Sequence, residues 1–179
     1  MRLLSQLFCF FVFILSFSVQ SQESFPKSWE GIYEGELEIY KVHGIAMKPS
    51  MRFQIAQKTD SIYTWKMTYI MNGKEDVRDY ELIIRNTEKG LYTIDEKNTI
   101  LLESYYRNGI FTSFFEVLGS FIITSTQKLD SGELMFEIIA ASSKKVKKTG
   151  NQEHNGQQVP QVTSYLVNGR QRAILKKVN

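Results

Sequence analysis

The sequence predicts an all-β protein, an antiparallel up-and-down barrel of about ten strands with no substantial helix after residue 21. Along Trp29–Ile39, apolar residues and glycines alternate with Glu30, Glu34, Glu36 and Glu38. Successive side chains of a strand point to opposite faces, so this segment has one apolar face and one wetted face. The same period recurs down the chain between turn signals, and no segment has a sustained helical period. Closure into a barrel protects every sheet edge, so we expect the first and last strands to be adjacent.

The first strand is predicted at Gly31–Val42, and a short loop at His43–Pro49 follows it. Asn72–Gly73 is a strong tight-turn signal because both residues tolerate a positive φ. Further turns are predicted at 88–90, 96–98, 107–109, 130–132 and 168–169. The remaining strands are predicted at Ser50–Lys58, Ile62–Met71, Val77–Arg85, Leu91–Asp95, Thr99–Ser104, Ile110–Leu118, Ser120–Lys128, Glu133–Ala141, Gln161–Val167 and Arg170–Val178.

Two regions depart from simple alternation. Ile110–Leu118 and Ser120–Ile123 are apolar on both faces, which predicts either a sheet covered on both sides or a partner surface. Ser142–Pro160 is rich in Lys, Gln, Asn and Gly and is predicted to be a flexible basic loop within the single barrel domain, residues 22–179.

Residues 1–21 are typical of a signal peptide. Arg2 precedes an apolar run from Leu7 to Phe17, and small residues follow it. The run is too short to span a bilayer, which takes about 20 residues, so no transmembrane segment is predicted. We therefore expect an exported protein, periplasmic or extracellular. Cys9 is the only cysteine, so the exported chain would have no disulfide, thiolate metal site or cysteine nucleophile.

The charge is unevenly distributed. Residues 22–141 contain 13 Lys/Arg and 18 Asp/Glu, a net charge of −5, whereas residues 142–179 contain eight Lys/Arg and one Glu, a net charge of +7. Lys144, Lys145, Lys147 and Lys148 would make weak contact with an anionic surface such as lipid or polysaccharide. The favoured alternative is that the two charges offset each other within the folded domain. Nucleic acid is not expected as a partner of an exported protein.

The opening of the first strand and the basic last strand resemble those of calycin-type barrels: the lipocalins, fatty-acid-binding proteins and nitrobindin-like barrels. The resemblance lies in Trp29, Gly31, Tyr33 and Gly35, together with Arg170–Arg172. It implies that Trp29 packs under a basic side chain of the last strand, for which Arg172 has the right position. Trp29, Gly31, Gly35 and Arg172 are thus expected to be structural.

The sequence also departs from the individual calycin families. Lys27 stands where the lipocalin G-x-W pattern has glycine, and residues 43–49 are too few for the two helices of fatty-acid-binding proteins. His154 is the histidine closest to the position of the nitrobindin haem ligand, but the flexible loop contains it. No cofactor is therefore predicted.

Aromatic residues on one face of adjacent strands form a candidate ligand-binding wall. They are Tyr33, Tyr63, Trp65, Tyr69 and Tyr80, with Arg78 on the same parity as Tyr80. An inward arginine near the mouth would bind a ligand carboxylate through a bidentate contact. The alternatives are a solvated Arg78 at a strand end and a filled core, for which Met51, Phe53 and Met67 are equally suited.

The sequence contains no recognisable catalytic or metal-binding motif. His43 and His154 are its only histidines, and neither has a second histidine at a spacing suited to metal binding. No catalytic residue, metal ligand or enzymatic activity is predicted. The leading interpretation is a binding module for a small, mostly apolar ligand inside the barrel. The alternative is a structural or protein-interaction barrel with a filled core and no ligand.

Overall fold

The computed structural model describes residues 24–178, except for the side chain of Lys145. The predicted signal peptide, residues 1–21, lies outside this range. A 3₁₀ turn, Lys27–Trp29, opens the fold. Strands β1 to β13 follow it at Gly31–Lys41, Gly44–Met47, Ser50–Gln57, Ile62–Met71, Lys74–Asn86, Leu91–Asp95, Leu101–Arg107, Ile110–Val117, Ser120–Lys128, Leu134–Thr149, Gln152–His154, Gln157–Val159 and Val162–Val178. No helix in the described part of the chain is long and apolar enough to cross a membrane.

Ten antiparallel strands close into a barrel. Strands β3 to β10 follow one another as a meander, β13 pairs with β10, and β1 pairs with both β3 and β13. The closing register places Tyr33 opposite Lys177 and Leu37 opposite Ala173. The predicted all-β barrel, with its first and last strands adjacent, is confirmed. Strand β2 pairs with the far end of β1, on the same edge as β3 and in line with it.

The apolar face of each strand points into the barrel. Tyr33 lies opposite Phe53, and Phe53 lies opposite Met67, so one inward row crosses three strands. Packed aromatic rings fill the half of the barrel where β1 begins, which we call the closed end. The fully buried or nearly buried rings there are Tyr33, Phe53, Tyr63, Trp65, Tyr92, Phe111 and Phe136.

Trp29 and Phe25 plug the closed end. The Trp29 ring is 2% exposed, and it meets Phe25 edge to face at 4.7 Å between centroids. Phe25 also stacks on Tyr106 at 4.2 Å. The Tyr33 hydroxyl donates to the Trp29 carbonyl oxygen at 3.0 Å. Burial of aromatic surface by the plug stabilises the barrel without a disulfide.

The predicted stacking of Arg172 on Trp29 is wrong. Arg172 lies opposite Glu38 on β1 and Glu137 on β10, on the outer face of the barrel. Position 38 is more than about 20 Å along β1 from the plug, since a strand advances about 3.3 Å per residue. Two lysines lie at the closed end instead. The Lys128 ammonium donates to the Ser28 carbonyl oxygen at 2.5 Å, and the Lys177 ammonium lies 6.0 Å from the centre of the Tyr33 ring.

Glycine permits the closest strand contact at the barrel seam. A Cβ on Gly35 would overlap the carbonyl oxygen of Ile174 on β13. Such a close approach of another backbone is one of the reasons for a glycine within a strand. At Gly31 the φ of +148° and the Lys177 side chain both disfavour a larger residue.

Two predicted loops and one predicted turn are instead strands. Residues 43–49 contain β2, and most of 142–160 belongs to the end of β10 and to the β11–β12 hairpin. Beyond the barrel rim, β10 and β13 continue as a two-stranded ribbon in which Val146 lies opposite Tyr165. Strand β13 runs through Asn168–Gly169 without turning, and a bulge there takes up the extra residue. Turn-forming residue types misled the prediction because a bulge also tolerates them. The flexibility expected of 142–160 stays a prediction.

Candidate functional site

The end of the barrel opposite the plug contains a cleft of about 690 Å³, which we call the mouth cleft. The β4–β5 turn and the segment between β2 and β3 border it. Its apolar lining residues are Leu37, Ile39, Met47, Pro49, Tyr69, Met71 and Ile138. Its polar lining residues are Asn72, Lys74, Glu75, Asp76, Arg78 and Gln171. This volume falls within the range of about 300–1,000 Å³ that is usual for small-molecule sites.

A smaller inner cavity of about 170 Å³ lies deeper in the barrel. It shares Tyr69, Arg78 and Ile138 with the mouth cleft, so the two spaces adjoin. Trp65 and Phe111 are among its apolar lining residues. Tyr80, Glu96, Ser113, Thr124 and Thr126 are among its polar ones. The enclosed volume would admit only part of a small molecule, and the rest would occupy the mouth cleft.

Arg78 lies where the two cavities meet. It is directly opposite Met67 in the β4–β5 ladder, and Met67 lines the inner cavity. The side chain therefore points inward, as its parity predicts, while remaining half exposed through the mouth. One guanidinium nitrogen donates to an Asp76 carboxylate oxygen at 2.8 Å. A guanidinium has five N–H donors, so further donors remain for a ligand oxygen.

Two tyrosines beside Arg78 keep their hydroxyl protons at neutral pH. Burial raises the pKa of Tyr69 to about 12. Burial, followed by the negative charge of Glu96, raises the pKa of Tyr80, and the positive charge of Arg78 only partly opposes the increase. Both hydroxyls therefore remain protonated in the folded barrel. The Tyr69 hydroxyl donates to the Met67 sulfur at 3.7 Å, a weak acceptor that a ligand oxygen at the inner end of the mouth cleft can replace. The Tyr80 hydroxyl is hydrogen-bonded to Glu96 and Arg78, so it orients Arg78 beside that position.

The six predicted ligand-binding residues divide into two groups. Tyr69 and Arg78 line both cavities, and Trp65 and Tyr80 line the inner one. Tyr33 and Tyr63 are buried in the aromatic core of the closed end and line neither cavity. The alternation placed all six on the inward face. Their height along the barrel depends on the shear between strands, which the alternation does not specify.

Sequence reasoning missed the wall opposite Arg78 and the acidic group near Tyr80. Ile138 and Gln171 come from β10 and β13, which close the barrel. A turn is predicted at 96–98, yet Glu96 continues the alternation that points Tyr92 and Ile94 inward. Extending that alternation by one step would have predicted that Glu96 faces the barrel interior. No short-range signal links Ile138 or Gln171 to β5.

The polar groups deep in the barrel are mutually satisfied rather than poised for catalysis. The Ser104 and Ser113 hydroxyls are 2.7 Å apart, and Ser104 also donates to the Leu102 carbonyl oxygen. His43 is exposed in the turn between β1 and β2, and His154 is exposed at the end of β11. Within residues 24–178, no three His, Cys, Asp or Glu side chains come together in a group able to hold a metal ion. The arrangement is suited to binding through apolar contact and a few oriented donors.

Comparison with known proteins assigns no family. A scan of the chain against protein-family models finds no match, and a search of curated proteins also finds none. The closed ten-stranded antiparallel barrel is compatible with a calycin-like fold. The functional argument therefore depends on the geometry of the barrel itself.

Proposed function

We propose that this protein is an exported binding module for a small, mostly apolar ligand. The observation that carries the proposal is the apolar mouth cleft, which adjoins the inner cavity at Tyr69, Arg78 and Ile138. Pockets of this kind, with an apolar lining and a few convergent polar groups, are the usual form of a small-molecule site. The closed end is filled, so the ligand occupies only the open half of the barrel.

The proposed ligand has an apolar body and at least one hydrogen-bond acceptor. An apolar end enters the inner cavity beside Trp65 and Tyr80, while Arg78 and Tyr69 donate to the acceptor. Export through the predicted signal peptide and a lipocalin-like family relationship are parts of the same proposal. The resemblance at Trp29 and the calycin-compatible barrel support that relationship.

Native mass spectrometry of the protein purified from its own host tests the proposal directly. We expect a population heavier than the polypeptide by the mass of a small molecule, which organic extraction removes. A sample containing only the polypeptide mass, under conditions that preserve a known barrel–ligand complex, would contradict the proposal.

A matched pair of variants tests the location of the site. Arg78 and Arg85 lie on opposite faces of β5, and Arg85 donates to the Thr93 hydroxyl on the outer wall. We expect an anionic apolar dye such as anilinonaphthalene sulfonate to bind the native barrel and to bind Arg78→Gln about tenfold or more weakly. A charged hydrogen bond contributes about 1.5–3 kcal/mol, which corresponds to a factor of roughly 10–100. Arg85→Gln should bind like the native protein, and equal loss in both variants would place the dye elsewhere.

The small enclosed volume favours one second candidate, a structural or protein-interaction barrel without a ligand. The inner cavity of about 170 Å³ is below the usual range for ligand sites. This candidate predicts that the mouth cleft contains only water and that Arg78→Gln leaves every function intact. Native mass spectrometry therefore distinguishes the two candidates.

A further inference from the structure

An exposed apolar surface lies on the outer wall at the open end of the barrel. The Phe114 and Phe121 rings are 5.8 Å apart, and Phe121 meets Tyr165 edge to face at 5.0 Å. Tyr165 lies opposite Val146 in the ribbon. These residues join the β8–β9 hairpin to the ribbon in one continuous surface, which we call the ribbon platform. Connected exposed apolar residues of this kind indicate a surface for a partner or a membrane.

Leu118 is the most exposed part of the ribbon platform. It occupies the β8–β9 turn with a positive φ of 48°, and its side chain is 99% exposed. A bulky residue in the left-handed region is strained, and full exposure leaves its apolar surface in water. Asparagine or glycine would suit this turn better. The leucine is thus unfavourable in the isolated barrel, and a contact that buries it outside the barrel would offset that cost.

One lysine lies against this apolar tip, and others follow it along the ribbon. The Lys144 side chain lies against the same turn, with its Cε 3.1 Å from where a Cβ on Gly119 would be. Lys148 follows on the ribbon face that contains Val146 and Tyr165, Lys147 lies on the opposite face, and both are exposed. Residues 142–149 contain four lysines and no acidic residue, although Glu116 lies opposite Phe121 nearby.

We propose that the ribbon platform docks the barrel onto an anionic membrane surface. Exposed apolar tips would enter the interface between headgroups and acyl chains, and the lysine ammonium groups would contact anionic headgroups. Protein interfaces are depleted in lysine, which favours a lipid surface over a protein partner. The platform is at the same end as the mouth cleft, so docking brings that cleft close to the lipid. The proposal does not depend on whether the cleft holds a ligand.

Sedimentation with vesicles measures the proposed docking. Residues 22–179 are used because they contain the whole described barrel, while the apolar run at 7–17 would itself bind lipid. We expect binding to phosphatidylcholine vesicles in which about one third of the lipid is phosphatidylglycerol. Binding to pure phosphatidylcholine should be at least about tenfold weaker, and salt should weaken binding to the anionic vesicles.

Two double variants that remove the same amount of charge test whether the ribbon platform is the surface that binds the vesicle. Lys144→Gln with Lys148→Gln should weaken binding by roughly 25-fold, because each lysine near an anionic surface contributes about fivefold. Lys89→Gln with Lys176→Gln changes exposed lysines away from the ribbon platform and should alter binding less than about twofold. Equal losses in the two pairs, or no loss in the first, would overturn the proposal.

Insertion of the apolar tip is tested by fluorescence. Cys9 is the only cysteine of the sequence, so Leu118→Cys provides a unique labelling site in residues 22–179. An environment-sensitive dye at that position should shift to shorter wavelength when anionic vesicles are added, whereas a dye on Glu88→Cys at the closed end should not. An unshifted dye at position 118 on a vesicle-bound protein would overturn insertion.

The same reagents identify other occupants of the ribbon platform. Binding to a soluble anionic polysaccharide that Leu118→Ser leaves unchanged, without vesicle binding, would assign the lysines to polysaccharide and overturn the lipid proposal. A dimer in solution that Phe114→Ser dissociates, again without vesicle binding, would assign the apolar surface to a second copy of this chain and also overturn it.

Discussion

Replacement of Trp29 by alanine removes the largest ring of the plug at the closed end. The ring is 2% exposed, so nearly all of its surface is lost from the core. An aromatic side chain of this class buries about 150–250 Å², which at about 25 cal/mol/Å² corresponds to roughly 4–6 kcal/mol. Alanine keeps part of that burial and neighbours relax in part, so we expect Trp29→Ala to lower the free energy of unfolding by about 3–5 kcal/mol.

Urea denaturation followed by far-UV circular dichroism measures this loss. Phe114→Ala is the matched control because it also removes an aromatic side chain, but one that is 62% exposed. The control should cost less than about 1 kcal/mol. A loss below about 1 kcal/mol for Trp29→Ala, or equal losses for the two variants, would refute the role of the plug.

Double-mutant cycles separate the two packing partners considered for Trp29. Phe25 contacts the ring edge to face, so Phe25→Leu should couple to Trp29→Ala by about 0.5 kcal/mol or more. Arg172 lies on the outer wall opposite Glu38. We expect Arg172→Ala to be additive with Trp29→Ala within about 0.5 kcal/mol. Strong coupling to Arg172 would restore the stacking expected from the calycin resemblance and contradict the observed register.

Three further predictions concern the seam, the site and the buried hydroxyls. Gly35→Ala should cost about 1–3 kcal/mol in urea denaturation because its Cβ would overlap a backbone oxygen of β13, whereas Gly169→Ala, which has room, should be nearly neutral. The pKa of Tyr69 is about 12 in the folded barrel and 10.0 in the unfolded chain, so the stability that the neutral hydroxyl contributes is complete below pH 10 and is lost as the pH rises from 10 to 12. The urea midpoint of Tyr69→Phe should therefore fall less steeply than that of the native protein between pH 10 and 12. Parallel plots of urea midpoint against pH for the two proteins would contradict this. Ser104→Ala should cost about 1–3 kcal/mol because it leaves the buried Ser113 hydroxyl without its partner. Ser113→Ala should cost less because the Ser104 hydroxyl still donates to the Leu102 carbonyl oxygen. Equal urea midpoints for the two variants would disprove this difference.

The class of fold and the inward face of most strands follow from the amino-acid pattern alone. Alternation is a local property with a period of two residues, so Tyr69, Arg78 and Tyr80 could be placed on one face without knowledge of the sheet. Asn72–Gly73 also predicted its turn, and both residues have a positive φ there. These signals come from residues adjacent along the chain, and tertiary contacts did not override them.

The tertiary structure alone decided the height of each residue in the barrel and the partners across the seam. Parity could not distinguish Tyr33, in the filled core, from Tyr69, in the mouth cleft. The calycin resemblance implied that Arg172 lies beside Trp29, although the register places it opposite Glu38. Both depend on the stagger between strands, which is fixed by closure of the whole ring and the shape of its packed core rather than by any one segment.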